Sequence, residues 1–584
     1  MKIRFLPLLS AMLVMLAPGM TPNAQAQKDI PSKVDIVFNR YNTYEELLEH
    51  LQAIAKAYPD LVTLTHIGDS GQGRPIFVAT VNAPGTGPDT SKPGMWIDGN
   101  VHGNEIQAAE VVLYSLWYLT KAYGVNEDLT KLLDTHSFYF LLSQNPDGRE
   151  YWLTHANTPH SSRWNQKPVD NDRDGLLDED GPDDLDGDGS ITTMWIKDPD
   201  GRWKRDENDP RIFRRVKEDE KGEWTRLGEE GIDNDGDGRI NEDGPGGNDM
   251  NRDWPTDWKP GYIQWGASAY PLANPETKSI ANFILTKPNI MASQSYHNSG
   301  GMILRGPGAK YMESAYPRED RKVYDEIGKV GEDILPYYKY MVIYKDLYGV
   351  HGGFVNWMAE GLGAYSFTNE LWTNGKYFQR DVQPDEKLAW LFRDRLQFGQ
   401  TFKAYTEYDH PQYGKILIGG LNKWSMRTTP TFMLEEECHR NFAFTMFHAA
   451  QMAQLEWGPV TVKRAAGGDS LWVVTAEVRN TQLMPTRSAI QAKAGIGQND
   501  LLVCEPAQGT VMLAGKIRDR RDRSIDEIRH EPGRIQLPKG VPGHGRVLYR
   551  FYIRGEQGQS VRLRYQAQRA QDIDMTFTLE PAQD

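Results

Sequence analysis

The sequence predicts an α/β protein with a mixed, mostly parallel central sheet flanked by helices, followed by a separate β-sandwich domain. Two observations predict this fold class. Up to residue 457, short apolar runs alternate with longer helical patterns, which is typical of a sheet covered by helices. From Gly458 onward, short alternating runs are separated by Gly, Pro and Asn without long helices, which indicates a sandwich of about 125 residues.

The elements follow in chain order from apolar spacing and from breaker residues. Leucines and Ile54 on one face, with Pro59 at the end, predict the first helix. Gln144–Gly148 has the composition of a turn. The predicted elements are helices over 43–58, 106–118, 387–405 and 440–455, strands over 61–67, 75–81, 95–97, 137–142, 290–296, 340–344 and 364–368, and sandwich strands over 460–464, 471–478, 511–513, 546–553 and 561–565.

The N-terminal 26 residues have the features of a secretory signal. Lys2 and Arg4 precede an apolar run over 5–17, and Ala24-Gln25-Ala26 is a small-x-small cleavage site. The run is too short to span a membrane, and no later stretch is long and apolar enough to do so. We therefore expect an exported protein, periplasmic or extracellular, with a catalytic domain over 27–457 and a sandwich domain over 458–584.

Composition narrows the chemistry further. The two cysteines, Cys438 and Cys504, permit at most one disulfide and are too few for a structural cysteine zinc site, which leaves histidines and carboxylates as metal ligands. The net charge of −14 argues against nucleic acid as a partner.

An acidic insertion over 165–249 carries the whole charge excess. It contains 27 Asp and Glu against 13 Lys and Arg, a difference of −14. Three stretches repeat Asp at positions 1, 3 and 5, Gly at position 6 and an aliphatic residue at position 8. Alternate oxygen ligands around a turn that Gly permits are what Ca²⁺ requires. The predicted calcium ligands are Asp170, Asp172, Asp174, Asp184, Asp186, Asp188, Asp233, Asp235 and Asp237.

The spacing resembles the calcium loops of thrombospondin type 3 repeats more than an EF-hand, whose closing Glu is missing. A disordered acidic linker is the competing interpretation, since blocks of like charge are usually disordered. Periodic carboxylates, and apolar residues between the copies that can pack, favour calcium. These apolar residues are Trp195, Ile196, Trp203, Ile212 and Phe213.

A candidate metal site begins at His102-Gly103-Asn104-Glu105, between a predicted strand and a predicted helix. An imidazole and a carboxylate three residues apart can face one point. Zn²⁺ accepts both ligand types and needs about three protein ligands plus an open position for catalysis. Alone, this motif is a weak signal, because a surface His near an ordinary Glu is more common.

Five further motifs follow in order and change that interpretation. They are Asn-Pro-Asp-Gly at 145–148, Asp-x-Asn-Arg at 249–252, His297 at a strand end, Tyr-x-x-x-Gly-Gly from 348, and Glu370 twenty-two residues beyond that Tyr. Over 42–457 the chain therefore resembles the zinc carboxypeptidase family, the carboxypeptidase A/B-like metallopeptidases. The insertion and the sandwich lie outside the resemblance.

The resemblance implies a role for each matching residue. It implies that His102, Glu105 and His297 hold zinc, that Asp249 orients a ligand histidine, and that Glu370 is the general base. Asn251, Arg252 and Tyr348 match the pocket for the substrate's terminal carboxylate, and Val355 matches the position that contacts the terminal side chain. An uncharged Val disfavours basic C-termini. Arg163 is the candidate for polarising the scissile carbonyl, with Arg149 as the alternative.

The resemblance implies an exported zinc exopeptidase acting on peptides with a free C-terminus. Two alternatives stay open from the sequence. A zinc deacylase or a cell-wall peptide amidase uses the same scaffold, although a deacylase would not need the carboxylate pocket. A non-catalytic, calcium-dependent binding protein would be expected to have lost a ligand or the base, and here all are present.

Overall fold

The computed structural model describes residues 29–170, 173–379, 385–466, 468, 470–518 and 524–581. The predicted signal segment at 1–26 lies outside these residues, and so does the predicted calcium ligand Asp172. Within these ranges, no helix combines the length and the apolar character needed to cross a membrane.

The first part of the chain alternates helices and strands as predicted. The Thr43 side chain caps the first helix by accepting from Glu46 N, while the Glu46 side chain accepts from Thr43 N, which closes a capping box. The elements are α1 (Tyr44–Ala57), β1 (Val62–Asp69), β2 (Pro75–Val81), β3 (Gly94–Gly99), α2 (Gln107–Ala122), α3 (Glu127–Thr135), β4 (Ser137–Leu141) and α4 (Pro146–Thr154).

The turn predicted at 144–148 is wrong, because these residues begin α4. The Asn145 side chain accepts from Gly148 N, and Pro146 occupies the first helical turn, where its missing N–H costs nothing. Asn145 and Pro146 therefore start a helix. Composition alone does not distinguish this role from a turn, because the same residue types favour both.

The chain then forms short strands in the insertion and returns to the central sheet. Its elements are β5 (Thr193–Lys197), β6 (Trp203–Arg205), β7 (Phe213–Arg215), β8 (Trp224–Glu229), α5 (Pro275–Leu285), β9 (Ile290–Asn298), β10 (Met302–Arg305), α6 (Arg318–Ile334), β11 (Lys339–Val342), α7 (Phe354–Asn356), β12 (Tyr365–Leu371), α8 (Asn374–Phe378), α9 (Glu386–Arg395), β13 (Phe402–His410), β14 (Gly414–Leu421) and α10 (Leu434–Ala450).

The predicted helix over 387–405 is wrong beyond Arg395. Phe398 and Gly399 adopt positive φ angles of 52° and 74°, which no α-helix contains, and β13 follows. The helix predicted over 440–455 begins earlier, at Leu434, and ends at Ala450.

The central sheet has eight strands in the order β1-β2-β4-β3-β9-β12-β10-β11. Strand β9 lies at its centre and runs parallel to both β3 and β12, whereas β1, β2 and β10 introduce antiparallel pairs. The α/β prediction is confirmed, and the mostly parallel sheet is confirmed only in part. Because β3, β9 and β12 are parallel, their carboxyl ends meet at one edge of the sheet, the usual place for a ligand site.

The insertion forms its own six-stranded sheet with a distant hairpin, in the order β13-β14-β5-β8-β6-β7. The aromatic residues between the acidic stretches pack here, with the Trp195 and Phe213 rings stacked at 3.8 Å between centroids. This packing gives the acidic segment an apolar core of its own.

The C-terminal region is rich in β structure, as predicted. Two antiparallel sheets contribute buried residues to one apolar cluster, including Trp472 and Phe551 from one sheet and Leu563 from the other. Cys438 and Cys504 are both buried and are not bonded to each other. The predicted boundary at 458 stays a prediction. The elements are β15 (Leu455–Trp457), β16 (Thr461–Arg464), β17 (Leu471–Asn480), α11 (Ala489–Ala494), β18 (Asp500–Pro506), β19 (Thr510–Ile517), β20 (Ile525–Ile528), β21 (Arg534–Leu537), β22 (Gly545–Arg554), β23 (Ser560–Gln566) and β24 (Ile573–Thr578).

Candidate metal centre and substrate cavity

The structure brings His102, Glu105 and His297 together at the edge where β3 and β9 end. His102 Nδ1 lies 3.0 Å from one oxygen of Glu105, and His297 Nδ1 lies 2.9 Å from the other. The two Nδ1 atoms are 3.2 Å apart. Each of the three residues is 2% exposed. Donor atoms from three residues therefore converge on one buried point, although His102 and His297 are 195 positions apart in the chain.

This donor set fits zinc. Burial raises the pKa of Glu105, but the neighbouring His102 and His297 lower it well below its ordinary value, so the carboxylate is ionised as ligation requires. Two imidazoles and a carboxylate match a catalytic zinc site that keeps one position open.

The Asp249 carboxylate lies behind His102, 3.1 Å from its Nε2. Burial raises the pKa of Asp249, while Arg252, His102 and Arg163 lower it well below its usual range. A fixed carboxylate on the distal nitrogen orients the imidazole and selects the tautomer whose Nδ1 is free to bind a metal.

Glu370 faces the same point from the neighbouring strand β12, where it is in register with His297. Burial and the Glu105 carboxylate raise the pKa of Glu370 to about 7. A carboxyl group with this pKa can accept and release a proton near neutral pH, as a general base must.

Two arginines lie beside the cluster. Arg163 Nη1 is 3.1 Å from Glu105 Oε1, and its other terminal nitrogen is 3.4 Å from Asp249. Arg427 also donates to Glu105 Oε1, at 3.1 Å. The sequence reasoning missed Arg427, which no motif marks and which the chain brings from 322 positions away.

The alternative arginine, Arg149, does not line this cavity. It is fully buried and bonded to the Glu110 carboxylate and to the backbone oxygens of Asn42 and Ile106. Arg149 therefore forms an ion pair with Glu110 in the core. The alternative prediction, that Arg149 polarises the scissile carbonyl, is wrong.

A cavity of about 440 Å³ opens from the cluster, and the predicted carboxylate-binding residues line it. Arg252 is 7% exposed, and its Nε is buried without a hydrogen-bond partner among the described residues. Asn251 Oδ1 accepts from Phe354 N at 2.9 Å, which leaves the amide NH₂ to donate elsewhere. Tyr348 is half exposed at the rim. Unsatisfied donors at one end of a cavity suit an anionic group.

The other wall of the cavity is apolar. Val355 is buried in one cluster with Leu304, Ile343 and Val350, and Met302 packs against it. All five residues line the cavity. This wall offers no charge to a basic side chain, which would lose its hydration there without a partner.

The predicted calcium ligands gather only in part. Asp184, Asp186 and Asp188 lie close enough for one ion, as do Asp233, Asp235 and Asp237. Asp188 also pairs with Lys403 at 3.1 Å. In the first stretch, Asp170 accepts from Gly175 N, and Asp174 groups instead with Glu179 and Asp235. Calcium binding and the thrombospondin-like character of the loops stay predictions.

Comparison with known proteins identifies the family. The family model described as zinc carboxypeptidase matches residues 47–187 and 191–391, more than half of the chain. A model for a domain of unknown function matches residues 454–578.

Carboxypeptidase D of Drosophila melanogaster is 32% identical over 151 residues, covering 24% of this chain and 11% of that protein. Carboxypeptidase A1 of Rattus norvegicus is 23% identical over 350 residues, covering 57% of this chain and 63% of the rat protein. The crystal structure of a carboxypeptidase A from Helicoverpa armigera is 16% identical with a TM-score of 0.44, covering 71% of this chain and 75% of that one. The matched region thus spans less than two thirds of both sequence relatives. The extent of the family match shows that the chain belongs to the zinc carboxypeptidase family.

Proposed function

We propose that this protein is an exported zinc metallocarboxypeptidase that hydrolyses the C-terminal peptide bond of peptides. The observation that carries the proposal is one cavity lined by a His₂Glu donor set, by Glu370 and by Arg252. The distinguishing feature is Arg252, since a C-terminal exopeptidase must recognise a free carboxylate beside the bond that it cleaves.

Zinc, when bound by His102, Glu105 and His297, supplies Lewis-acid activation of water and carbonyl. Glu370 takes the proton from the attacking water and returns it to the leaving amine, which its raised pKa supports. Arg163 lies beside Glu105 with its guanidinium toward the cavity, and it stabilises the negative charge that develops on the carbonyl oxygen.

The terminal carboxylate of the substrate binds the Arg252 guanidinium and the Asn251 amide, with Tyr348 at the rim. Its terminal side chain then contacts the apolar wall around Val355. We therefore propose aliphatic or aromatic C-terminal residues as preferred substrates, because an ammonium or guanidinium group has no charged partner on that wall.

A panel of N-blocked dipeptides tests the proposal. Release of the C-terminal amino acid, abolished by a chelator and restored by zinc, is the expected result. N-acyl amino acids in the same panel identify a deacylase. If the zinc-loaded protein releases no C-terminal residue from any dipeptide, the peptidase assignment is wrong.

A further inference from the structure

Two of the acidic stretches share a repeat longer than the predicted calcium spacing. Residues 170–182 and 233–245 both read Asp-Asn-Asp-x-Asp-Gly-x-aliphatic-Asp/Asn-Glu-Asp-Gly-Pro. Position 11 of each copy, Asp180 and Asp243, forms an antiparallel β-bridge, in which Asp243 N donates to Asp180 O at 3.1 Å. The two copies therefore meet at this pair, where their backbones are antiparallel.

This arrangement places carboxylates of one copy against those of the other. Glu179 groups with Asp174 of its own copy and with Asp235 of the second copy. Asp180 groups with Asp235 and Glu242, both from the second copy. In each group, one oxygen of every residue lies within 4.8 Å of the others. The groups share Asp235, so they form one cluster across the bridge.

Several of these carboxylates are buried without the partners that buried charge requires. Asp180 is fully buried, and Asn234 Nδ2 donates to its Oδ1 at 3.1 Å, whereas its Oδ2 accepts no hydrogen bond from any residue that the structure describes. Within the described ranges, both carboxylate oxygens of Glu179 and of Glu242 are also buried and accept no hydrogen bond. Buried, unpaired carboxylates at such short range indicate a missing cation.

We propose that Glu179, Asp180, Asp235 and Glu242 bind Ca²⁺ jointly, as one centre shared by the two copies. The sequence alone predicted separate loops, each with ligands from its own copy. Ca²⁺ accepts six to eight oxygen ligands in flexible geometry, which suits carboxylates converging from two loops better than the strict octahedron of Mg²⁺.

The residues of this centre lie near the two ends of the insertion. Asn165 N donates to Asn248 O at 3.0 Å, and Asn248 N donates to Asn165 Oδ1 at 2.9 Å, so the two ends of the insertion are joined. Arg163 and Asp249 flank these ends. The proposed calcium centre uses none of the residues that line the zinc cavity, so it does not depend on the proposed peptidase activity.

Calcium titration of the zinc-loaded chain in calcium-depleted buffer tests the shared centre, with zinc content checked throughout. We expect heat of binding by calorimetry and a higher Tm with CaCl₂. Asp180→Asn and Asp235→Asn should each weaken calcium binding about tenfold or more, as removal of one charged ligand does. The double variant should lose one calcium ion and not two, because both changes affect one centre.

Asp219→Asn, an exposed carboxylate outside the cluster, is the matched control and should bind calcium like the unchanged chain. Circular dichroism of each variant verifies folding. Absence of calcium binding by the unchanged chain would overturn the proposal. An Asp180→Asn variant that binds calcium as tightly as the unchanged chain would also overturn it. The same holds if each single variant loses a different calcium ion and the double variant loses two.

Discussion

Replacing Arg252 with Met tests whether this residue recognises the free carboxylate of the substrate. Arg252 is 7% exposed, and its buried Nε donates to no residue in the part of the chain that the structure describes. A hydrogen bond to a charged group contributes about 1.5–3 kcal/mol. Two such bonds to a carboxylate therefore correspond to about 3–6 kcal/mol, or roughly 10²–10⁴-fold in kcat/KM.

The assay compares kcat/KM for a blocked dipeptide with a free C-terminus and for the same dipeptide with a C-terminal amide. The unchanged enzyme should prefer the free acid by this factor, and Arg252→Met should abolish most of the preference. Arg252 also lowers the pKa of Asp249, so part of the loss can affect both substrates equally. Their ratio isolates carboxylate recognition. Arg252→Lys, which keeps charge but loses the planar fork, should fall between the two. An unchanged ratio in Arg252→Met would refute the reasoning.

Three further predictions concern the base, its titration and the apolar wall. Glu370→Gln should lower kcat by about 10²–10⁴-fold with zinc content unchanged, and near-normal kcat would exclude Glu370 as the base. Activity should rise with pH as Glu370 ionises. Because a bound dication favours the carboxylate, the acid limb of kcat/KM should lie at or below pH 7. An acid limb above pH 8 would contradict this. For dipeptides ending in Leu or Phe, kcat/KM should be at least about 100-fold higher than for those ending in Lys. Val355→Asp should shift the preference toward Lys. If the unchanged enzyme prefers Lys, the apolar wall is not the specificity pocket.

Local patterns were sufficient to predict much of the α/β region. The helix Tyr44–Ala57 follows from its apolar face and from Pro59, and the buried strands Gly94–Gly99 and Ile290–Asn298 follow from short apolar runs. His102 and Glu105 lie in the turn after one of these strands, and His297 lies near the end of the other, so ordered motifs indicated three donors that the fold brings together.

Other features depend on contacts between distant parts of the chain. Arg427 reaches Glu105 only through tertiary packing, and nothing in its neighbouring residues marks it. Strand Phe402–His410 pairs in the hairpin that extends the insertion sheet, whereas its sequence continues a helical pattern. The acidic repeats indicated oxygen ligands, but the bridge between Asp180 and Asp243, which sets one copy against the other, is a long-range pairing.

Locating the metal in crystals of the protein tests the central claim most directly. An anomalous difference map collected at the zinc absorption edge should contain one strong peak about 2.0–2.2 Å from His102 Nδ1, a Glu105 oxygen and His297 Nδ1. No peak at this position in zinc-supplemented protein, or a zinc peak only elsewhere, would contradict the account.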